Sequence, residues 1–291
     1  MSHTINVSIG IFAYNEERNI GKTINSILKQ KTEVAQIKEI FIISSGSSDR
    51  TNNIIRQALE KDKRLFFIEQ LERQGKSSAI NLFVRKANSP VLIVVSADVR
   101  LHTEAVEEIT LPFLHENVGM VGAHPIPSNI NQSEIGREGK LLWELHHQVS
   151  LKHPKCGEMI AFRKVIRSIP PQSAVDEAAI EVLLRLIGYK VVYAPRAIVY
   201  NKVPETIKEF LDQRRRVYAG HQWISRTYNY NVSTMNINNV LKALLEYLSQ
   251  HPRDIVPLIK LLGLECYGRL LGWIDYFIFN RNPYIWKMVK R

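Results

Sequence analysis

The residues of this chain best placed to do chemistry are three carboxylates beside segments that should be rigid. Asp98 follows the apolar run 91–95 after two small residues, and Asp176 and Glu177 stand where a helix is predicted to begin. A carboxylate held at the end of a buried strand could bind Mg²⁺ or Mn²⁺ against a diphosphate, because these hard cations take oxygen ligands. A carboxylate at position 177 could be the general base that takes a proton from an attacking hydroxyl group.

Each of these carboxylates also has a structural explanation. Asp98 could cap a turn or a helix. Acidic residues such as Asp176 and Glu177 gain a favourable interaction with the dipole at a helix N-terminus in any protein. For this pair the structural explanation is sufficient, unless other residues indicate a site nearby.

Cationic residues suited to phosphate occur in two places. Gln213 and the arginines at 214–216 lie on a predicted helix, and a guanidinium group can bind phosphate through two parallel hydrogen bonds, although a solvated helix face is the alternative. The segment 74–77, with the sequence Gln-Gly-Lys-Ser, follows a predicted strand and opens a helix, which is the setting of a P-loop. The P-loop pattern needs glycine at position 70, where this chain has Gln70, so a P-loop is disfavoured.

The elements that must position these side chains alternate between strands and helices. Three continuous apolar runs, 7–13, 39–43 and 91–95, each end in a small polar cluster and precede a helix-like stretch. Such runs are typical of strands in a parallel sheet that is covered on both faces. Because ligands of these sheets bind at the carboxyl ends of the strands, the three polar clusters should converge on one crevice.

The remaining pattern completes an α/β fold with a mostly parallel central sheet flanked by helices. Further strands are predicted at 65–69, 118–123, 156–162, 190–194 and 197–201, and helices at 18–30, 50–61, 74–86, 103–115, 136–150, 176–187, 205–226 and 237–249. Asp49 stands where the N-cap of the second helix belongs. We expect one domain over residues 1–231 and a C-terminal helical extension over 232–291.

The segment 255–279 of that extension is very apolar but carries four charged residues. At 100° per residue they fall within about half of the helical circumference, so an amphipathic helix is favoured over a membrane-spanning one. It could pack on the domain, on a second subunit or on a membrane surface. Aromatic and cationic residues that suit an interface occur there and beyond it: Trp273, Tyr276, Tyr284, Trp286, Lys287, Lys290 and Arg291.

Composition limits the classes of partner. The 291 residues include 39 Lys and Arg against 28 Asp and Glu, a net charge of +11 that suits nucleotide phosphates, nucleic acid or an anionic membrane surface. Nucleic acid is not expected, because the basic run at 214–216 has only Tyr218 and Trp223 nearby to stack on bases. Two cysteines cannot build a disulfide framework, and no signal peptide opens the chain, so a cytosolic location is expected.

Six motifs, in order between about Val7 and His221, together resemble the family 2 glycosyltransferases, which have the GT-A fold and transfer sugars from nucleotide-diphosphate donors. They are Tyr14-Asn15-Glu16-Glu17, the loop Ser44-Ser45-Gly46-Ser47-Ser48-Asp49, the G-K-x-x-A-x-N segment Gly75–Asn81, Ser96-Ala97-Asp98 at the D-x-D position, Asp176-Glu177 at the E-D position and Gln213–Val217 at the Q-x-x-R-W position.

The resemblance implies an inverting transferase with a divalent metal, Mg²⁺ or Mn²⁺, on Asp98. It implies that Glu177, beside Asp176, is the catalytic base. The residues it implies around the nucleotide sugar are Ala13, Asn15, Glu17, Ser45, Gly75, Lys76, Ser96, Ala97, Gln213 and Arg216. The acceptor would be an envelope glycan or a lipid-linked molecule, with peripheral contact of residues 255–291 at the cytoplasmic face of a membrane.

The chain departs from the family pattern at several motif positions. Serine stands at Ser44, Ser45 and Ser96 in place of aspartate, so that the usual carboxylate contact to the base is lost or made by a hydroxyl group and the contact to the ribose is weakened. The acidic pair is reversed, so the base would be a glutamate. Val217 replaces the tryptophan common in processive synthases and, with no clear spanning segment, favours single transfer. The alternative is a catalytically weakened relative that binds nucleotide without transfer.

Overall fold

The protein is described by a computed structural model that covers residues 4–281. Within them one sheet is formed by β1 (Ile5–Ala13), β2 (Ala35–Ser45), β3 (Leu65–Gln70), β4 (Val91–Ser96), β5 (Arg100–Leu101), β6 (Val118–Pro127), β7 (Met159–Arg163) and β8 (Lys190–Asn201). The α-helices are α1 (Ile20–Leu28), α2 (Thr51–Leu59), α3 (Lys76–Lys86), α4 (Ala105–Thr110), α5 (Gly136–Lys152), α6 (Asp176–Leu186), α7 (Ile207–Tyr228), α8 (Ile237–Gln250) and α9 (Ile255–Trp273). The aromatic and cationic residues noted at 284–291 lie outside the described residues.

The sheet has the order β3-β2-β1-β4-β7-β6-β8-β5 and is mixed. The four strands β3, β2, β1 and β4 pair in parallel, as their continuous apolar sequences predict. β7 then runs antiparallel to both β4 and β6, and the short β5 runs antiparallel to β8. The register of the parallel strands aligns their carboxyl ends, because Phe12 of β1 lies opposite Ser96 of β4, and Ala13 lies opposite Ser44 of β2.

Helices cover both faces of the sheet, so that the α/β class and the flanking helices are confirmed. The buried side chains of α1, α2 and α4 pack on one face, and those of α3 and α6 pack on the other. A third apolar cluster joins α5, α7, α8 and α9 beside the sheet. The C-terminal helices therefore pack on the rest of the protein through a core of their own, while the boundary at residue 231 stays a prediction.

Two local predictions from sequence were wrong in detail. Residues 190–201 form one strand, β8, rather than two. Its pairing with β6 shifts register between Gly122 and His124, and the four residues after Tyr193 form a bulge inside the strand. Pro195 lies in this bulge, where its missing N–H does not break the ladder. Asp49 is not the N-cap of α2, which begins at Thr51; its Oδ1 instead accepts a hydrogen bond from the Thr51 N–H at 2.9 Å.

The segment 255–279 is helical as predicted, and the arc that bears its charges faces the protein. Glu265 accepts a hydrogen bond from Nη1 of Arg214 at 3.3 Å, and Asp275 forms a close ion pair with Arg215. Both arginines belong to α7, so that polar contacts hold α9 along this helix.

Two glycines on the same arc let the helices approach closely. A Cβ atom added at Gly268 would lie 2.7 Å from Cβ of Arg214, and one at Gly272 would lie 2.6 Å from the carbonyl oxygen of Arg215. Both distances are shorter than real Cβ contacts, so only glycine fits at these two crossings.

The opposite side of α9 exposes aliphatic and aromatic side chains to solvent. The outer apolar face, as we call this surface, consists of Ile255, Val256, Ile259, Leu262, Tyr267, Leu270, Trp273, Phe277, Ile278 and Phe279. Val256 is 72% exposed and Ile259 65% exposed, which is unusual for clustered aliphatic residues. Among the described residues, no helix has both the length and the hydropathy to cross a membrane.

Candidate active site

Polar loops after β1 and β2 are bonded to each other at the carboxyl edge of the sheet. Asn15 adopts a left-handed conformation with φ of +52°, and its Oδ1 accepts a hydrogen bond from the Ser48 N–H at 2.8 Å. The Glu17 carboxylate accepts from the backbone N–H of Arg50 at 3.2 Å and from its Nε at 3.1 Å. Asn15 and Glu17 therefore join the two loops, and neither lines the cavity described below.

The loop after β3 approaches the loop after β2 through two glycines in left-handed conformations. Gly46 has φ of +70°, and a Cβ atom there would lie 2.6 Å from the backbone nitrogen of Arg73. The hydroxyl oxygen of Ser45 accepts a hydrogen bond from the Gln74 N–H at 3.2 Å. Gly75 has φ of +85° and lies immediately before α3, which starts with Lys76. These contacts place the start of α3 over the same edge of the sheet.

Asp98 lies in the turn directly after β4. The backbone of this turn is held from two sides, since the Ala97 N–H donates to the Phe12 carbonyl at 3.1 Å and Oγ1 of Thr23 donates to the Ala97 carbonyl at 2.6 Å. Ser96, Ala97 and Asp98 all line the cavity. A rigid strand and a fixed turn therefore present the Asp98 carboxylate, as the sequence pattern predicts.

Asp176 and Glu177 begin α6 and meet Lys76 from α3. The Lys76 nitrogen lies 2.9 Å from Oδ2 of Asp176, and both side chains are largely buried. Burial, reinforced by the Glu177 carboxylate, raises the pKa of Asp176 although Lys76 opposes the shift. Burial acts to raise the pKa of Glu177 too, but the charge of Lys76 and a backbone hydrogen bond outweigh it and lower that pKa. Glu177 is therefore ionised at neutral pH and can accept a proton.

The same carboxylates act on Lys76. Burial would lower the pKa of Lys76, but the charges of Asp176 and Glu177 outweigh burial and raise the pKa well above its ordinary range. Lys76 is thus a fixed positive charge in the crevice.

The arginines of the basic run on α7 have different neighbours: some line the crevice, and some contact α9 and the turn that follows it. Nη1 of Arg216 donates to the Ala174 carbonyl at 3.1 Å, next to the start of α6, and burial lowers the pKa of Arg216 while Glu177 opposes the shift. Arg214 lines the cavity, and its Nε is buried without a hydrogen-bond partner among the described residues. Arg215 forms an ion pair with Asp275.

One cavity of about 1370 Å³ brings these groups together. Of the residues expected around the donor, metal and base, the cavity is lined by Ala13, Ser45, Gly75, Lys76, Ser96, Ala97, Asp98, Asp176, Glu177, Gln213 and Arg216. Its polar end therefore has carboxylates from two elements and cations from two others, which suits a charged ligand with a diphosphate and a hydroxyl group to be activated.

Several residues of the cavity were not singled out from the sequence. Arg73 and Tyr14 both line it, and the Arg73 guanidinium lies 4.0 Å from the centre of the Tyr14 ring. Glu158 has φ of +59° and lines the cavity, where Asn201 donates to its Oε1 at 3.2 Å. A left-handed glutamate beside an active site indicates a constrained backbone, but no sequence signal other than the preceding Gly157 could have indicated it.

Two buried histidines also line the cavity. Burial lowers the pKa of His146 to about 3, and it lowers the pKa of His221 far below the ordinary value. Both imidazoles are therefore neutral at physiological pH and offer one donor and one acceptor each. His147, the neighbour of His146, points elsewhere and stacks on His124 with ring centres 4.0 Å apart.

Within residues 4–281, no three His, Cys, Asp or Glu side chains form a complete metal cage. The donor chemistry nevertheless fits a hard cation that is shared with a bound diphosphate. Magnesium-like ions are often held by one or two carboxylates, with water and phosphate oxygens as the other ligands, and Asp98 supplies such a carboxylate in the lining of the cavity.

Comparison with known proteins agrees with this arrangement. A sequence model of the family described as Glycosyl transferase family 2 matches residues 8–168. Poly-beta-1,6-N-acetyl-D-glucosamine synthase of Staphylococcus aureus is 26% identical over 235 residues, which are 76% of this chain and 56% of that protein. The Staphylococcus epidermidis synthase of the same name is 25% identical over 80% of this chain and 58% of its own length. This chain thus matches little more than half of these relatives.

Solved structures share the fold at low sequence identity. A mannosyltransferase from Pyrobaculum calidifontis, in complex with GDP-Man and Mn²⁺, has a TM-score of 0.61 at 17% identity, over 97% of this chain and 82% of its own. Glucosyl-3-phosphoglycerate synthase from Mycobacterium tuberculosis, with Mn²⁺, UDP and phosphoglyceric acid, has a TM-score of 0.53 at 18% identity, over 76% and 78% of the two chains. The GT-A fold expected from the motifs is confirmed.

Proposed function

This chain belongs to glycosyl transferase family 2; on that premise we propose that it is a glycosyl-transfer enzyme that moves a sugar from a nucleotide-diphosphate donor to an acceptor hydroxyl with inversion. The observation that carries the proposal is the cavity in which Asp98, Glu177 and Arg216 meet at the carboxyl edge of parallel strands. The solved neighbours whose names mention a nucleotide sugar or nucleotide with Mn²⁺ support a donor of this class.

We assign the donor to the entrance formed by the loops after β1, β2 and β3. Gly75 and Ser45 line the cavity there, and their small side chains leave room for the nucleotide. Asn15 and Glu17 act by holding the two loops together rather than by lining the cavity. Asp98 would hold Mg²⁺ or Mn²⁺, which supplies positive charge to the donor diphosphate when it is bound.

We assign the chemical step to Glu177. The acceptor oxygen forms a bond to the anomeric carbon of the donor sugar as the bond from that carbon to the diphosphate oxygen breaks. The acceptor proton passes to the Glu177 carboxylate, and the electron pair leaves with the nucleoside diphosphate. Arg216 and Lys76 stabilise the negative charge that develops, in a site where both are largely buried.

Asp176 is placed to support this step rather than to perform it. Its carboxylate contacts Lys76, so that the lysine is fixed and its charge remains close to Glu177. We infer that the reversed order of the acidic pair still leaves a carboxylate at position 177 able to act as base.

The acceptor is a growing polysaccharide or a lipid-linked glycan in this proposal. The curated relatives named for polysaccharide synthesis favour the first, and the outer apolar face favours the second. We propose that this face contacts the cytoplasmic surface of a membrane, because it is apolar while the chain as a whole is cationic.

One observation favours a second candidate, a relative that binds nucleotide without transfer. Ser44 and Ser45 are bonded within the loops, since Ser44 donates to the Ser47 hydroxyl at 2.8 Å and Ser45 accepts from Gln74. The carboxylates that usually contact the base are therefore replaced by hydroxyl groups that already have partners.

Calorimetric titration with UDP, GDP and dTDP, each with and without Mn²⁺, tests the donor site. We expect one nucleotide to bind, and to bind only with the metal. If none binds under either condition, the donor assignment fails and the weakened relative becomes the better description.

A further inference from the structure

The cavity is also lined by a group of aliphatic side chains, beside charged residues such as Glu265 and Arg269. What we call the apolar arm is lined by aliphatic residues from three helices: the partly exposed Leu142 of α5, Val240 of α8 and Leu262 of α9, together with the buried Leu145, Val149, Leu244 and Leu261 of the same helices. It belongs to the same cavity as Asp98 and Glu177, so a single ligand can occupy both ends.

A nucleotide sugar has no apolar group that would bind in this arm. Its base, ribose, diphosphate and sugar are all polar, and the polar end of the cavity already offers carboxylates and cations for them. An aliphatic wall binds hydrocarbon, because the free energy falls when two apolar surfaces are removed from water against each other. The arm is therefore available to the second substrate.

The arm reaches the outer apolar face. Ile237 and Leu262 line the cavity and are also exposed, at 69% and 38%, on the side of α8 and α9 that faces solvent. The cavity wall is thus continuous with the surface assigned above to membrane contact. A hydrocarbon chain can lie in the arm while its far end remains at that surface.

A cationic group that lines the same cavity lies close to the apolar arm. Arg214 donates to Glu265, which is one helical turn beyond Leu261 and Leu262 on α9. The buried Nε of Arg214 has no hydrogen-bond partner among the described residues. A buried guanidinium N–H without a partner is costly, and a phosphate or similar anion at the cavity wall would satisfy it.

We propose that the acceptor is an amphiphile whose hydrocarbon chain occupies the apolar arm, whose anionic group contacts Arg214 and whose hydroxyl group reaches Glu177. This inference rests on the proposed function, because it names the class of acceptor for the same site. It distinguishes the acceptor from a free water-soluble glycan, which has no group for the arm.

Butyl, octyl and dodecyl phosphate, each titrated calorimetrically below its micelle concentration into the intact protein, test the inference. We expect the affinity to rise about fourfold for each methylene that enters the arm, which corresponds to about 0.8 kcal/mol. Equal affinity for the three chain lengths would overturn the inference without any variant having to be made.

Neighbouring residues on α8 provide matched variants. Val240 lines the arm, whereas Leu241 is exposed and does not line the cavity. Val240→Trp should flatten the dependence on chain length, and Leu241→Trp should keep it. If the affinity still depends on chain length in both variants, the hydrocarbon chain binds elsewhere on the surface and the apolar arm is not its site. Leu262→Trp, at the exposed mouth of the arm, repeats the test if Val240→Trp does not fold.

The nucleotide titration separates the two levels of the proposal. If a nucleoside diphosphate binds with Mn²⁺ but chain length has no effect, the amphiphile fails and the donor site stands. If neither the nucleotide nor the alkyl phosphates bind, both proposals are overturned. Arg214→Gln should lower the affinity for all three alkyl phosphates about tenfold and leave the chain-length dependence intact; an unchanged affinity would remove Arg214 from the site.

Discussion

Replacing Lys76 with methionine should destabilise the fold chiefly through the carboxylates that remain. Methionine keeps most of the side-chain volume but removes the nitrogen that lies 2.9 Å from Oδ2 of Asp176. Removing one partner of a buried ion pair costs about 3–5 kcal/mol, because the other charge is left uncompensated. The Lys76 side chain is 23% exposed, so water screens part of this charge. We therefore expect the free energy of unfolding to fall by about 3 kcal/mol.

The loss should depend on pH. Burial raises the folded-state pKa of Asp176 above its unfolded value, so the ionised carboxyl favours unfolding and stability falls as the pH rises through that window. Lys76 opposes the rise, and without it the folded-state pKa moves further up. The deficit of the variant should be full at about pH 8 and smaller at about pH 4, where folded Asp176 is protonated.

Urea unfolding followed by circular dichroism measures this difference. Lys86→Met, at the exposed end of α3, is the matched control and should change stability by less than about 0.5 kcal/mol. Adding Asp176→Asn to Lys76→Met should recover much of the loss, since it removes the uncompensated charge. An equal deficit at both pH values, together with no recovery in the double variant, would refute the ion-pair reasoning.

Three further predictions concern the metal ligand, the outer apolar face and the crossing of α7 and α9. Asp98→Asn should weaken nucleotide binding in the presence of Mn²⁺ by at least about tenfold, since the metal contact is lost; calorimetry that finds equal affinity for both proteins contradicts the assignment. Leu270→Asp should reduce co-sedimentation with vesicles of anionic phospholipid about tenfold, whereas the exposed Leu71→Asp should have no effect; equal loss in the two would deny a specific face. Gly272→Ala should lower the free energy of unfolding by about 1–3 kcal/mol, while Gly263→Ala, where a Cβ meets nothing within 4 Å, should raise it slightly; thermal melting that ranks them in the opposite order would contradict the close crossing.

The strand ends were the part of the site most accessible from sequence. The runs that end at Ala13 and Ser96 are continuous and rich in β-branched residues, and such runs form parallel strands whose succeeding loops lie at one edge of the sheet. The register then sets Phe12 opposite Ser96. Periodicity therefore predicted both the sheet and the convergence of the polar clusters, because these depend on local composition.

Residues that depend on tertiary contacts were not accessible in this way. Arg73 lies over Tyr14 only because Gly46 lets two loops approach, and the position of Glu158 depends on its left-handed backbone. His146 faces the cavity because α5 packs against α8 and α9 through a core that no motif marks. Spacing in sequence carries no information about such neighbours.

The orientation of α9 shows how an amphipathic pattern can be ambiguous. The charges of the segment 255–279 share one arc, and in most soluble proteins that arc would face water. Here Glu265 and Asp275 face arginines of α7, and the aliphatic side faces outwards. The pattern predicted the helix and its two faces, but the partner of each face depended on the basic run of α7.

The decisive test of sugar transfer by this site compares the wild type with Glu177→Gln. It measures the release of nucleoside diphosphate from UDP-, GDP- and dTDP-sugars with Mn²⁺, with water as the acceptor of the sugar. We expect the wild type to release nucleotide from one class of donor. Glu177→Gln should bind this donor with unchanged affinity but release nucleotide at least about a hundredfold more slowly, in keeping with the loss of a general base. Equal release by the two proteins would remove Glu177 as the base. Donor binding without release by the wild type would contradict transfer itself and leave a nucleotide-binding protein.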